Sequence, residues 1–195
     1  MTHTRLYILT ISLLAILLSG CAAVVVGGAA TSVAVIHDRR TTGTVIDDQS
    51  IEFQSLQILY SNDTIRRSTH INVTSYNGLL LLTGEAPTET LRYSIAEKLR
   101  PIEKVNKIVN EIIIAAPSSL LSRSSDSLIT SKAKLALFRI DKLKDFDPSR
   151  VKVTTENGVV YLMGLLKEHE AQAVIDITRR VSGVQRVVKL FEIIG

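Results

Sequence analysis

The chain has 195 residues, with 23 basic and 19 acidic side chains, a single cysteine and no tryptophan. One cysteine excludes an internal disulfide and any zinc site built on paired cysteines. The length leaves room for one domain or two small ones once a leader is set aside.

Residues 1–5 carry one firm positive charge, Arg5, and residues 6–18 read LYILTISLLAILL. That is the charged and apolar parts of a secretion signal, and the run is too short for a membrane-spanning helix, which needs about 20 apolar residues. Leu18-Ser19-Gly20-Cys21 closes it and resembles the bacterial lipobox. The resemblance implies acylation of the Cys21 thiol, with an acyl chain such as palmitate, and cleavage after residue 20. A thiol is the side chain best suited to attack an acyl donor. Ala22 stands where an aspartate would argue for retention in the inner membrane, so the expected location is the outer membrane, facing the periplasm. Residues 21–46, beginning CAAVVVGGAATSVAV, read as a lipidated flexible tether.

From residue 47 the chain repeats itself. INVTSYNGLLLLTG (71–84) matches VKVTTENGVVYLMG (151–164), and IEKVNKIVN (102–110) matches VSGVQRVVK (181–189). In each unit an alternating strand meets Asn-Gly (77–78 and 157–158), whose positive φ angles suit a type I′ hairpin. A return strand, an amphipathic helix and a last strand follow. A helix also precedes each hairpin. Asp47 or Asp48 is the expected cap of the first, with Leu56 and Leu59 inward, and Asp126 the expected cap of the second, 126–140. The expected organisation is signal 1–20, tether 21–46, unit one 47–116, a serine-rich linker 117–125 and unit two 126–195. Each unit is α-β-β-α-β. The fold class is therefore α+β, with a small three-stranded mixed sheet packed on two helices in each unit. Units of about 70 residues are near the lower limit for a stable core, so the pair should pack together.

The duplicated pattern, with VKVTTENGVVYLMGL and RRVSGVQRV as its most telling stretches, resembles the BON domain. Two tandem BON domains behind a lipobox imply, through that resemblance, a periplasm-facing lipoprotein that binds anionic phospholipid such as phosphatidylglycerol mainly through its second domain. They further imply a role in outer-membrane integrity and a link to the division site.

Residues 48–115 hold 7 basic and 8 acidic side chains, whereas residues 118–195 hold 13 and 9. A basic face on a membrane-tethered protein points to anionic lipid, and an export signal argues against nucleic acid. The helix 126–140 has two faces. Ile129, Ala133, Ala136, Leu137 and Ile140 form a core stripe. Leu128, Leu135 and Phe138 fall on another side together with Lys132, Lys134 and Arg139, the mix that an interfacial helix uses. Two readings stand: this face enters a lipid interface, or its apolar residues pack against the first unit. An adaptor for envelope proteins, in assembly or in control of cell-wall hydrolases, is the alternative function.

Enzymatic signals are absent. His37, His70 and His169 have no cysteine or histidine partner at metal-ligand spacing, and no Gly-x-Ser-x-Gly elbow occurs. Glu168-His169-Glu170 reads as a solvated first helical turn. The expectation is no catalysis, no metal and no cofactor beyond the lipid on Cys21.

Overall fold

A computed structural model describes residues 38–140 and 143–195. The signal, Cys21 and the tether up to residue 37 lie outside the described residues. The first domain contains α1 (Thr42–Ser61), a short α2 (Asp63–Ser68), β1 (His70–Tyr76), β2 (Leu79–Ala86), α3 (Glu89–Leu99), β3 (Lys107–Asn110) and β4 (Ile113–Ile114). The second contains α4 (Leu120–Leu137), a 3₁₀ turn (Pro148–Arg150), β5 (Lys152–Glu156), β6 (Val159–Leu166), α5 (Glu168–Thr178) and β7 (Arg186–Ile193). In both sheets the hairpin strands are antiparallel and the last strand runs parallel to the middle one. In the first sheet that last strand is interrupted, so β3 and β4 pair with successive parts of β2.

Tyr76 faces Leu79 and Glu156 faces Val159 across the two hairpins, leaving Asn77-Gly78 and Asn157-Gly158 as two-residue loops. Their φ angles are 52° and 75° in the first, 50° and 72° in the second, as the type I′ turn requires. Each turn is held by a buried aspartate one element upstream. The Asp48 carboxylate accepts from the backbone N–H groups of Asn77 (2.7 Å) and Gly78 (3.0 Å). Asp126 accepts from Asn157 (2.9 Å) and Gly158 (2.8 Å).

These aspartates are not helix caps, which corrects the sequence expectation. The caps are Thr41 and Ser119, whose hydroxyls accept from the N–H groups of Thr44 (3.1 Å) and Ser122 (3.2 Å). Residues 42–46 and 120–125, read as tether and linker, are therefore helical. Helix α4 also ends at Leu137, before the expected residue 140. An aspartate ahead of an apolar run suggests a cap because free N–H groups attract carboxylates. Here the N–H groups it serves belong to a turn some thirty residues away.

Each domain has its own core between helices and sheet. Ile51, Leu59, Leu80, Leu82, Ile95 and Leu99 fill the first; Ile129, Leu137, Val160, Leu162, Leu166 and Val174 fill the second. Leu56, expected inward, is 36% exposed, because Ile51, Ser55 and Leu59 make the buried line of α1.

The far faces of the two sheets pack on each other. Tyr76 and Leu81 bury themselves against Tyr161 and Met163, flanked by Leu79, Val109, Val159, Leu165, Val188 and Leu190. Strands β2 and β6 are thus covered on both faces, which accounts for their continuous apolar runs. Burial pushes the Tyr161 phenol up to about 12.

Polar groups rim this contact, and the asparagine of each turn reaches across it. The Asn77 amide donates to Glu192 and the Asn157 amide to Glu85, both at 2.6 Å. Asn72 donates to Glu156 (2.6 Å), and the Lys152 ammonium to Glu52 (2.6 Å). Ahead of α1, Arg40 lies 3.8 Å over the Tyr76 ring and pairs with Asp48. Arg39 grips Glu170 with two hydrogen bonds (2.5 and 2.8 Å) and donates to the Leu165 carbonyl. Glu170 also accepts from the Lys167 N–H at the start of α5 (2.8 Å). The first turn of α5 is therefore only partly solvated: Glu168 and His169 are exposed, but the Glu170 side chain is 2% exposed.

Burial raises the proton affinity of Asp48, Glu85 and Glu170, but their hydrogen bonds outweigh it and hold all three below the usual carboxylate range. Glu156 goes the other way: burial pushes it up against the Asn72 hydrogen bond.

The buried carboxylates make stability respond to one mutation and to pH. Asp126→Ala leaves two turn N–H groups buried without acceptors, at about 1–3 kcal/mol each. Urea denaturation should therefore show a loss of about 3 kcal/mol, against less than about 1 kcal/mol for Asp47→Ala, whose partner Lys104 is exposed. The second response is to pH. Asp48, Glu85 and Glu170 bind protons more weakly when folded, so their stabilisation is complete above the ordinary carboxylate value of about 4 and is lost as pH falls through and below it. Glu156 binds its proton more tightly when folded, so its contribution runs in the opposite sense. Stability should drop steeply below about pH 4. At pH 7 Glu156→Gln should be at least as stable as wild type, and Glu85→Gln less stable.

Candidate functional site

The outward side of α4 combines exposed apolar and basic side chains. Its inward line, Ile129, Ala133, Ala136 and Leu137, is buried against the second sheet. A helix turns 100° per residue, so Leu128 and Leu135 share one outer line, with Lys132 and Arg139 beside them. Leu128 is 62% exposed, Leu135 65% and Phe138 73%. None of the three packs on the first domain. They stand in solvent because the domains meet through their sheets, on the side away from α4.

The sequence-derived set is largely brought together. Leu128, Lys132, Leu135 and Arg139 form one band, and Phe138 closes it as the C-terminal cap residue. Lys134 is exposed but leaves the helix roughly 120° away from Leu128. Among the described residues none of the three cations has a carboxylate within salt-bridge distance.

Two parts of the site were missed by sequence reasoning. Because α4 starts at Leu120, the outer line continues to Leu121, which is 81% exposed, with Leu120 at its flank. The serine-rich composition of 117–125 hid this extension. Arg180, just after α5, joins Lys132 and Arg139 around an open groove of about 390 Å³ floored by Ala136 and Ile177. The period of α4 does not reach Arg180, since that residue follows a different helix.

This surface has the makings of an interfacial element: large apolar side chains that can leave water, with free cations alongside to meet anionic groups. Helix α1, the counterpart of α4, differs. Its exposed Ile46, Phe53, Leu56 and Tyr60 lie on a helix that contains no lysine or arginine. No described helix is long and apolar enough to cross a membrane.

Comparison with known proteins agrees with the duplicated architecture. The model of the BON domain matches residues 47–116 and again 125–195. The chain is 36% identical over 177 residues to the outer membrane lipoprotein DolP of Haemophilus influenzae, covering 91% of this chain and 90% of that protein. It is 35% identical to the 21 kDa hemolysin of Actinobacillus pleuropneumoniae, covering 78% of this chain and 77% of the relative. It is also 27% identical to the osmotically-inducible protein Y of Escherichia coli, covering 74% and 72%. The α-β-β-α-β duplication and both sequence matches make this chain a member of the BON-domain family, carrying two BON domains in tandem.

Proposed function

We propose that the chain is a non-enzymatic outer-membrane lipoprotein, anchored through an acyl group on Cys21 and facing the periplasm, whose second BON domain binds anionic phospholipid such as phosphatidylglycerol through the outer face of α4. The observation that carries this reading is the exposure of Leu128, Leu135 and Phe138 beside Lys132 and Arg139, neither of which has a salt-bridge partner among the described residues. Buried CH₂ groups contribute about 0.8 kcal/mol each, and each cation near an anionic surface about 1 kcal/mol. Such terms suffice because an acyl anchor already keeps the domain beside a bilayer. The 36% identity to an outer membrane lipoprotein supports the location. Support for outer-membrane integrity, with action at the division site, is the cellular role that fits the family resemblance.

The exposed apolar residues of α1, with no cation on that helix, favour a second reading in parallel. There the first domain docks an envelope protein, in assembly or in regulation of cell-wall hydrolases.

Binding to vesicles of phosphatidylglycerol and of phosphatidylcholine decides the lipid reading. Lys132→Glu/Arg139→Glu should keep its fold and lose at least about tenfold in affinity for the anionic vesicles, and Leu128→Glu should lose as much, following the contributions per cation and per CH₂. Raising salt from 0.1 to 1 M shortens the Debye length from about 10 to about 3 Å, and should weaken wild-type binding without abolishing it. Unchanged binding in both variants would sink the lipid reading and move the adaptor role ahead. For the anchor, metabolic labelling with an alkynyl fatty acid should mark wild type and not Cys21→Ala.

A further inference from the structure

The contact between the two domains brings together an imidazole and two carboxylates whose hydrogen bonds serve the fold but whose convergence the lipid face does not use. His70 at the start of β1, Glu85 near the end of β2 and Glu156 at the end of β5 converge there. We propose that these three side chains bind a zinc ion that ties the two BON domains together. Each offers one ligand atom, and all three atoms lie within 4.8 Å of one another. The His70 Nδ1 is 3.2 Å from Glu85 Oε2 and 3.8 Å from Glu156 Oε1. Zinc bonds of about 2.0–2.2 Å in a tetrahedron place neighbouring ligands about 3.3–3.6 Å apart. The two separations from His70 straddle that edge and the third is within 4.8 Å, so side-chain shifts would seat the ion.

The His70 Nδ1 already sits at hydrogen-bond distance from Glu85 Oε2 (3.2 Å) and the Ser118 hydroxyl (3.4 Å), so a zinc ion would take the place of the proton that this nitrogen shares. The side chains of His70, Glu85 and Glu156 are 17%, 2% and 5% exposed. Two buried carboxylates thus share a seam with an imidazole, and Glu156 is pushed up by burial and by the nearby charges of Glu85 and Asp126. Arg123, the cation in reach, is engaged with Ser118, donating to its hydroxyl (3.3 Å) and its carbonyl (2.8 Å).

One oxygen of Glu156, at the open cleft, makes no hydrogen bond among the described residues. Glu156 Oε2 accepts from Asn72 (2.6 Å) and Thr83 (3.4 Å), but the other oxygen, Oε1, faces His70. The outer partners that orient metal ligands are also present. Asn72 holds Glu156, while Asn157 and the Ser118 N–H hold Glu85. An open cleft of about 450 Å³, lined by His70, Asn72, Asp126, Thr130 and Glu156, gives a path in and room for a water as fourth ligand. One imidazole with two carboxylates and a single open position is a zinc-type set; magnesium and calcium prefer more oxygens.

The test uses the full chain in detergent. Calorimetric titration with zinc chloride should show one saturable site, and zinc should raise the melting temperature by several degrees, reversibly with EDTA and not with magnesium chloride. His70→Gln and Glu156→Gln should each weaken zinc binding at least tenfold, while His169→Gln leaves it unchanged. In the wild-type protein, zinc should shift the His70 ring nitrogens in long-range ¹H–¹⁵N spectra, a readout that needs no variant to fold. No saturable site on wild type, binding that His70→Gln leaves unchanged, or zinc shifts confined to other histidines overturns the proposal.

Discussion

Everything else in the molecule is arranged around the packing of one sheet on the other. Tyr76, Leu81, Tyr161 and Met163 exclude water from the middle of that contact, and each sheet then has only its helical side left to face outward. A lone three-stranded sheet with two helices is a thin structure, close to the size at which a single core stops being sufficient. By covering the second face of β2 and β6, the duplication turns two marginal layers into a four-layer stack of helix, sheet, sheet and helix. The helices are displaced to the two outer surfaces, and that displacement makes α1 and α4 available to partners.

The two halves keep the same internal devices and differ on the outside. The aspartate that holds the hairpin turn recurs as Asp48 and Asp126, bonded to the same two backbone N–H groups in each copy. The asparagine of each turn crosses to a carboxylate of the other domain. Neither device touches the outer face of a helix, so the two outer faces could diverge without disturbing the frame. One is apolar on a cation-free helix and the other is apolar with cations beside it. A duplicated scaffold of this kind can present two different recognition surfaces on opposite sides.

The hairpins and the order of elements were legible in the sequence because Asn-Gly between alternating runs leaves the backbone little choice. The stripe of Leu128, Leu135 and Phe138 was legible for the same reason, as a local period. What escaped was everything that depends on distant partners. Asp48 and Asp126 look like helix caps from their neighbours alone, and their acceptor role shows only when the turn arrives in space. Glu170 looks solvated until Arg39, from before the first domain, closes on it. The runs in β2 and β6 announce burial, but the sequence does not say that each is covered by the other. His70, Glu85 and Glu156 are separated by 15 and 71 residues and come from different domains, so no spacing rule would join them.

The paired arginines ahead of α1 have a consequence for reach. Arg39 is fastened to the second domain through Glu170, and Arg40 to the first through Asp48 and Tyr76. Any leash from Cys21 therefore ends at residue 38 and not at residue 46. Seventeen peptide steps span at most about 60 Å even when drawn straight, at about 3.3–3.6 Å per residue. An acyl group on Cys21 would confine the folded body to a shell of that radius above its own membrane. A pull applied at residue 38 would meet both grips at once, and would load the stack as a unit instead of peeling α1 from the first domain.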